Sequence, residues 1–201
     1  MKQKIIVATG NNNKLHEIRT ILSDCRYLLV SMKDFWGSIP VIEENGSTFF
    51  ENACIKADWV YYKSACWALA DDSGLVVDAL NGAPGVKSAR YAGEHGGTEE
   101  NRKKLLLALK GVPEQDRLAR FVCSAVIRID KETVLHVEET CEGRIIDYMR
   151  GNGGFGYDPL FIPDGFDRTF AELSDEEKNV ISHRGKAIQK LKEVLYDHDT
   201  P

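Results

Sequence analysis

Residues 120–141, RFVCSAVIRIDKETVLHVEETC, decide the class of fold. Two β-rich stretches, 120–129 and 134–141, flank the polar turn Asp130, Lys131 and Glu132, the pattern of an antiparallel pair. Upstream of this hairpin, strand and helix alternate. An apolar strand at 5–8 runs into a polar turn at 9–13, followed by a helical pattern with Leu15, Ile18, Ile21 and Leu22 on one face. A second short strand is predicted at 27–30. Thr48 followed by Glu51 forms a capping box that opens a long helix through about residue 65. Short strands at 68–71 and 75–79 come next. A helix then starts at Thr98, with Glu99 and Glu100 in its first turn and Gly111 beyond its end. Ser174 and Glu177 make a second capping box, and from Ser182 a last helix turns Ala187, Ile188, Leu191 and Leu195 inward. Early alternation joined to a late hairpin predicts an α/β fold whose mixed β-sheet is flanked by helices. Neither a linker nor a repeat interrupts the chain, so residues 1–201 are expected to form a single domain.

A chain of 201 residues can bury a sizeable core without disulfides or a structural metal. It has no apolar run near the ~20 residues that span a bilayer, which excludes an integral membrane protein. The N-terminal MKQKIIVATGNNNK lacks the apolar core and cleavage site of a signal peptide, so a cytoplasmic location is expected. Lys and Arg number 26 against 31 Asp and Glu, a formal charge of −5, which argues against a nucleic-acid partner bound by charge. Cys25, Cys54, Cys66, Cys123 and Cys141 are widely spaced with no C-x-x-C, the pattern of reduced thiols rather than a disulfide framework or zinc site.

Three clusters could carry chemistry. Thr9, Gly10, Asn11, Asn12, Asn13 and Lys14 lie between a strand and a helix, where free N–H groups and a lysine favour an anion. An Asn-capped polar turn explains the same residues. Residues 151–156, GNGGFG, match G-x-G-x-x-G, but Pro159 disfavours a helix at Asp158, so a dinucleotide fingerprint is rejected. A glycine loop bearing Phe155, Gly156, Tyr157 and Asp158 fits either close approach to a flat ligand or an ordinary turn. Asp71 and Asp72 end the apolar run Ala68, Leu69, Ala70 and precede Ser73 and Gly74. Two carboxylates at the end of a buried strand must be paired, solvated or bound to a cation. Mg²⁺ takes one or two carboxylates plus substrate phosphates. Lys56, Arg90, Lys178, His183, Arg184 and Lys186 add positive charge from several segments. Singly each fits a solvated face, but together with the loops and carboxylates they are the parts of a Mg²⁺-dependent nucleotide site.

Five segments in order, ATGNNNKLHEI at 8–18, TFFENACIKA at 48–57, ALADDSGLVVDALNGAPGVKSARYAG at 68–93, GGFGYDPLF at 153–161 and TFAELSDEEKNVISHRGKAI at 169–188, resemble the Ham1 family. These inosine/xanthosine triphosphate pyrophosphatases remove non-canonical purine nucleotides from the precursor pool. The resemblance implies cleavage of ITP, dITP or XTP between the α and β phosphates, with Mg²⁺ as cofactor. It also implies two lobes with the active site in a cleft between them, and a homodimer. By the same resemblance Asp72 is metal ligand and proton acceptor, with Asp71 and Glu44 as further metal ligands. Thr9 to Lys14 correspond to the triphosphate loop, and Lys56 and Ser73 to substrate contacts. Phe155, Gly156, Tyr157, Asp158, Lys178, His183 and Arg184 correspond to the substrate- and base-binding segments. Arg184 or Lys178 aimed at a 6-keto oxygen would disfavour adenine, because an unpaired buried polar contact costs about 1–3 kcal/mol. Phe155 is expected to stack on the base. Two alternatives share these features: a Maf-like pyrophosphatase for modified pyrimidine nucleotides, and a catalytically silent nucleotide-binding module.

Overall fold

In the computed structural model, residues 2–93 and 96–198 are described. The short apolar strand β1 (Lys4–Val7) has a parallel neighbour on each side. Lys4 stands opposite Leu28 of β2 (Leu28–Ser31), and Ile5 stands opposite Trp67 of β3 (Trp67–Val77). With β4 (Leu118–Arg128), β5 (Val134–Ile145) and β6 (Phe161–Pro163) these make one six-stranded sheet of order β2-β1-β3-β4-β5-β6. The Ile129 N–H donates to the Thr133 carbonyl at 3.1 Å, closing the turn between β4 and β5. A link that short joins only antiparallel strands. β6 is antiparallel to β5, with Gly143 opposite Pro163. The sheet is therefore mixed, as residues 120–141 predict.

Helix α1 (Asn12–Ile21) is followed by α2 (Met32–Trp36), a single short helix that periodicity does not reveal. Ser31 caps α2 by accepting the Asp34 N–H at 3.0 Å, and Gly37, at φ +77°, ends it. Helix α3 (Phe49–Ser64) has the predicted capping box: Thr48 Oγ1 accepts the Glu51 N–H at 3.1 Å. Thr48→Ala should cost about 1 kcal/mol, measured as a lower urea midpoint at unchanged slope. Helices α4 (Thr98–Ala108), α5 (Asp175–Ile181) and α6 (His183–His198) complete the set. Among the described residues no helix is long and apolar enough to cross a membrane.

Two strands expected at 68–71 and 75–79 are one, the eleven-residue β3. Ser73 and Gly74 read as a break in the sequence. Gly74, however, is not among the glycines with positive φ and continues the strand.

The chain divides into two compact units. The first comprises Met1–Asp72, Cys123–Glu139 and Arg184–Pro201, the second Ser73–Val122 and Thr140–His183. In the first unit, Ile5, Val7, Leu69, Cys123, Ala125 and Ile127 pack with Ile18 of α1 and Ala187, Ile188 and Leu191 of α6. Ile6, Ala8, Ala68, Ala70 and Val126 pack instead with Ala53, Ala57 and Val60 of α3. Successive strand residues point to opposite faces, so these clusters are the two faces of one sheet. Along β3, residue 71 follows Leu69 onto the α1/α6 face, and residue 72 follows Ala70 onto the α3 face. In the second unit, Leu75, Val77 and Phe121 pack with Leu105 and Leu109 and with Phe161 and Phe170.

Candidate active site

The adjacent carboxylates Asp71 and Asp72 are built into two different networks by the alternation of β3. On the α3 face Asp72 is 8% exposed. Its Oδ2 accepts from Asn52 Nδ2 at 3.1 Å, and its Oδ1 lies 3.4 Å from Lys56 Nζ. Lys56 also donates to Glu44 Oε2 at 2.7 Å, so one ammonium joins two carboxylates from distant segments. Asn52 and Lys56 are four residues apart on α3 and share its face. Burial pushes the Asp72 carboxyl above its usual range; Lys56 and Lys14 offset this in part, and Glu44 adds to it. Burial would lower the Lys56 pKa, but Asp72, Asp71 and Glu44 raise it above its ordinary value and keep the side chain an ammonium.

On the α1/α6 face, Asp71 Oδ2 accepts from Lys14 Nζ at 3.0 Å and from Arg184 Nε at 3.1 Å. Arg184 Nη1 donates to Glu17 Oε2, one turn after Lys14 on α1. Burial opposes ionisation of Asp71, but Lys14, Arg184 and Lys56 outweigh it and hold the carboxyl well below its usual range. Burial likewise opposes the Arg184 charge, and Asp71 and Glu17 overcome it. Arg184, expected among the base contacts, thus has its guanidinium engaged by two carboxylates of the first unit.

Both readings of the 9–14 loop meet in its geometry. Asn11 Oδ1 accepts the N–H groups of Asn13 at 2.9 Å and Lys14 at 3.2 Å, and Thr9 Oγ1 accepts that of Asn11 at 3.2 Å. The loop is therefore a capped turn, and the charge it contributes is Lys14, directed to Asp71. Asn12 and Asn13 are exposed; Gly10 lies so near Ile39 that a Cβ would meet its Cγ2 at 3.1 Å.

The second unit gathers the glycine-aromatic segment. Asp158 Oδ2 accepts the Phe155 N–H and the Lys178 ammonium, each at 2.8 Å. Lys178 is 4% exposed, and its Nζ lies 4.8 Å from the Phe155 ring centroid and 5.7 Å from that of Phe170. Gly154, at φ +65°, leaves no room for a Cβ beside Asp158, and Gly151 faces the Ala171 backbone as closely. Gly151 and Gly154 thus serve the loop's own packing. Gly156 has open space where a Cβ would stand, and its carbonyl accepts from Arg102 Nε. Tyr157 is buried with its hydroxyl donating to the Ser88 carbonyl at 2.9 Å. His183 stacks on Phe121, with centroids 4.8 Å apart and planes at 11°. Ser73 is half-buried, the next residue along β3.

Among the described residues no three His, Cys, Asp or Glu side chains come together as a metal cluster. The expected trio of Asp72, Glu44 and Asp71 is therefore not assembled, because the pleat sends Asp71 to the other face. Glu44 and Asp72, joined through Lys56, remain as a pair of hard oxygen donors. Such a pair suits an ion that completes its shell with phosphate and water. Sequence reasoning missed Asn52 and Glu17. Asn52 lies four residues before Lys56, and Glu17 three after Lys14, spacings that place each on its partner's helical face.

A model of the Ham1 family matches residues 5–194. The chain belongs to the Ham1 family. Its relatives include a dITP/XTP pyrophosphatase of Desulforamulus reducens, 48% identical over 96% of this chain and 95% of that protein. One of Treponema denticola is 50% identical over 96% and 98% respectively. The solved structure of a HAM1 protein from Coxiella burnetii superposes with a TM-score of 0.88 at 42% identity, covering 97% of this chain and 99% of that one. The Ham1 fold is thus the α/β architecture described above, with its mixed sheet and flanking helices.

Proposed function

We propose that this Ham1 protein hydrolyses the non-canonical purine nucleotides ITP, dITP and XTP between the α and β phosphates, releasing the monophosphate and pyrophosphate. The observation that carries the reading is the Glu44–Lys56–Asp72 network, in a chain about half identical to dITP/XTP pyrophosphatases along nearly its whole length. Membership of a nucleotide-hydrolase family is consistent with a metal cofactor, and Mg²⁺ fits the oxygen donors Glu44 and Asp72. When bound there, Mg²⁺ would draw charge from the phosphate oxygens and favour loss of pyrophosphate. Asp72 is our choice for the proton acceptor of the attacking water, its carboxylate held by Asn52 and Lys56 and its pKa raised above the usual range by burial. Lys14 and Lys56 offer donors to the triphosphate.

In the second unit, Phe155 supplies the face for the base and Lys178 the donor for its 6-keto oxygen. Adenine would meet that ammonium with an amino group. The backbone of 153–158 is our choice for the element that rejects the 2-amino group of guanine. We place the enzyme in the cytoplasm as a homodimer; five free cysteines suit a reducing compartment.

The test is pyrophosphate release from dITP, XTP, dATP, dGTP and dUTP with Mg²⁺ or EDTA. Rates on dITP and XTP should exceed those on dATP and dGTP at least about tenfold, as expected when a mismatched polar contact is buried. EDTA should abolish them. Equal purine rates, or orthophosphate as product, would overturn the reading. A preference for pyrimidines would favour the Maf-like alternative, and binding without turnover the silent module.

A further inference from the structure

We infer that Asn52 is a positioning residue for the reaction proposed above, setting the Asp72 carboxylate and the Glu44 loop with a single amide. The inference rests on that reading of Asp72 and Glu44. Asn52 is 1% exposed, in the first turn of α3. Its Nδ2 donates to Asp72 Oδ2 at 3.1 Å, while its Oδ1 accepts the Gly46 N–H at 2.8 Å. A primary amide carries donor and acceptor in one plane. One side chain therefore ties a carboxylate on β3 to a loop whose Glu44 stands two residues before Gly46.

The loop is shaped for this contact. A Cβ at Gly46 would meet Asn52 Oδ1 and Glu51 Cβ at 2.7 Å, so only glycine lets the backbone come this close. Glu51 fastens the next residues, accepting the Ser47 N–H at 2.6 Å and the Thr48 N–H at 3.3 Å. One turn further along α3, Lys56 reaches both Glu44 and Asp72. The two residues divide the work. Lys56 supplies charge, and Asn52 supplies direction, because holding Oδ2 fixes the carboxylate plane and leaves Oδ1 on the Lys56 side. Asn52 acts through Asp72 and touches no reacting atom.

Asn52→Ala removes both bonds; Asn52→Asp keeps the acceptor for Gly46 but loses the donor and sets a second carboxylate against Asp72. Misplacing a reacting group by about 1 Å can cost ~10²-fold, so kcat on dITP should fall about 10–100-fold in both variants with KM within about threefold of wild type. Amide exchange at Gly46 separates the two ends of the side chain. It should quicken in Asn52→Ala and stay near wild type in Asn52→Asp. Gly46→Ala reaches the same contact from the loop and should also lower kcat, which keeps the test open if a variant at 52 does not fold. A kcat within twofold of wild type in the folded variants, or unchanged Gly46 exchange in Asn52→Ala, would overturn the inference. Wild-type enzyme that releases no pyrophosphate from dITP would instead overturn the pyrophosphatase reading, while Gly46 exchange still decides whether Asn52 holds the loop.

Discussion

Asp72→Asn should lower kcat on dITP by about 10²–10⁴-fold, the range supplied by a positioned general base, while leaving the fold intact. The two halves of this expectation have separate physical causes. Asparagine keeps the shape of the side chain but has no carboxylate to accept the proton of water or to share in holding a cation. Stability is set by two opposing effects. Burial raises the Asp72 pKa in the folded protein, so the folded state binds the proton more tightly than the unfolded one. A raised carboxyl pKa lowers stability as pH climbs from the unfolded value, about 3.9, through the folded one, and the loss persists at neutral pH. The neutral amide removes that cost, and Lys56 keeps Glu44 at 2.7 Å as a partner. Against this gain, the amide NH2 must face one of the two donors, Asn52 Nδ2 or Lys56 Nζ, so the thermal midpoint at pH 7 should stay near that of wild type. A variant that retains its midpoint but turns over dITP within tenfold of wild type would sink the assignment of Asp72 as base. Loss of stability together with activity would show the residue to be structural.

The hairpin at 120–141, the two capping boxes and the inward stripe of α6 were legible because each is a local pattern, set by neighbours within a few residues. What failed to read was set at longer range. β3 runs unbroken through Ser73 and Gly74, which resemble a turn only when the strands beside them are unknown. Asp71 and Asp72 look like one acidic doublet in the sequence. The strand's period of two splits them, and the helices on each side decide what each carboxylate meets. The motif segments named most of the residues that gather around Asp72, because Glu44, Lys56 and Asp72 lie in or beside them. Their partners were hidden by separation: Arg184 is 113 residues from Asp71 and 167 from Glu17. Resemblance placed Arg184 and Lys178 together among base contacts; the sequence does not show that Arg184 pairs with Asp71 and Glu17, while Lys178 pairs with Asp158 beside Phe155.

The division across β3 also separates two demands that conflict at a phosphate-binding site. Cations are needed near the triphosphate, yet exposed lysines pay rotamer entropy and are screened by salt. Asp71 answers this from beneath the sheet. It holds Lys14 at 3.0 Å with its own carboxyl kept ionised, so the lysine is ordered before any ligand arrives. Asp72, on the other face, has a raised pKa because cations only partly balance its burial. Environments that push neighbouring carboxylates apart in pKa assign them different roles. On the function proposed above, Asp71 would order charge while Asp72 moves the proton.

Arg184→Met tests the structural side of this division, and should destabilise the protein by about 3–5 kcal/mol, the cost of removing one partner of a buried ion pair. Arg184 is 2% exposed and bridges Asp71 and Glu17, so methionine fills much of the volume but takes the guanidinium away from both carboxylates. Against a typical stability of about 5–15 kcal/mol this is a large fraction. It should appear as a lower urea midpoint at neutral pH. The pH dependence identifies the cause. Asp71 has a depressed pKa, so its contribution is present above the unfolded value of about 3.9 and is lost as pH falls toward the folded one. Wild type therefore loses this contribution in acid, while Arg184→Met has less of it to lose. The gap between the two proteins should be widest at neutral pH and narrow below pH ~4. Arg184→Lys keeps the charge but not the planar fork that reaches two carboxylates, and should fall between them. A gap that stays constant from pH 7 to pH 3 would assign the loss to packing and not to the Glu17–Arg184–Asp71 network.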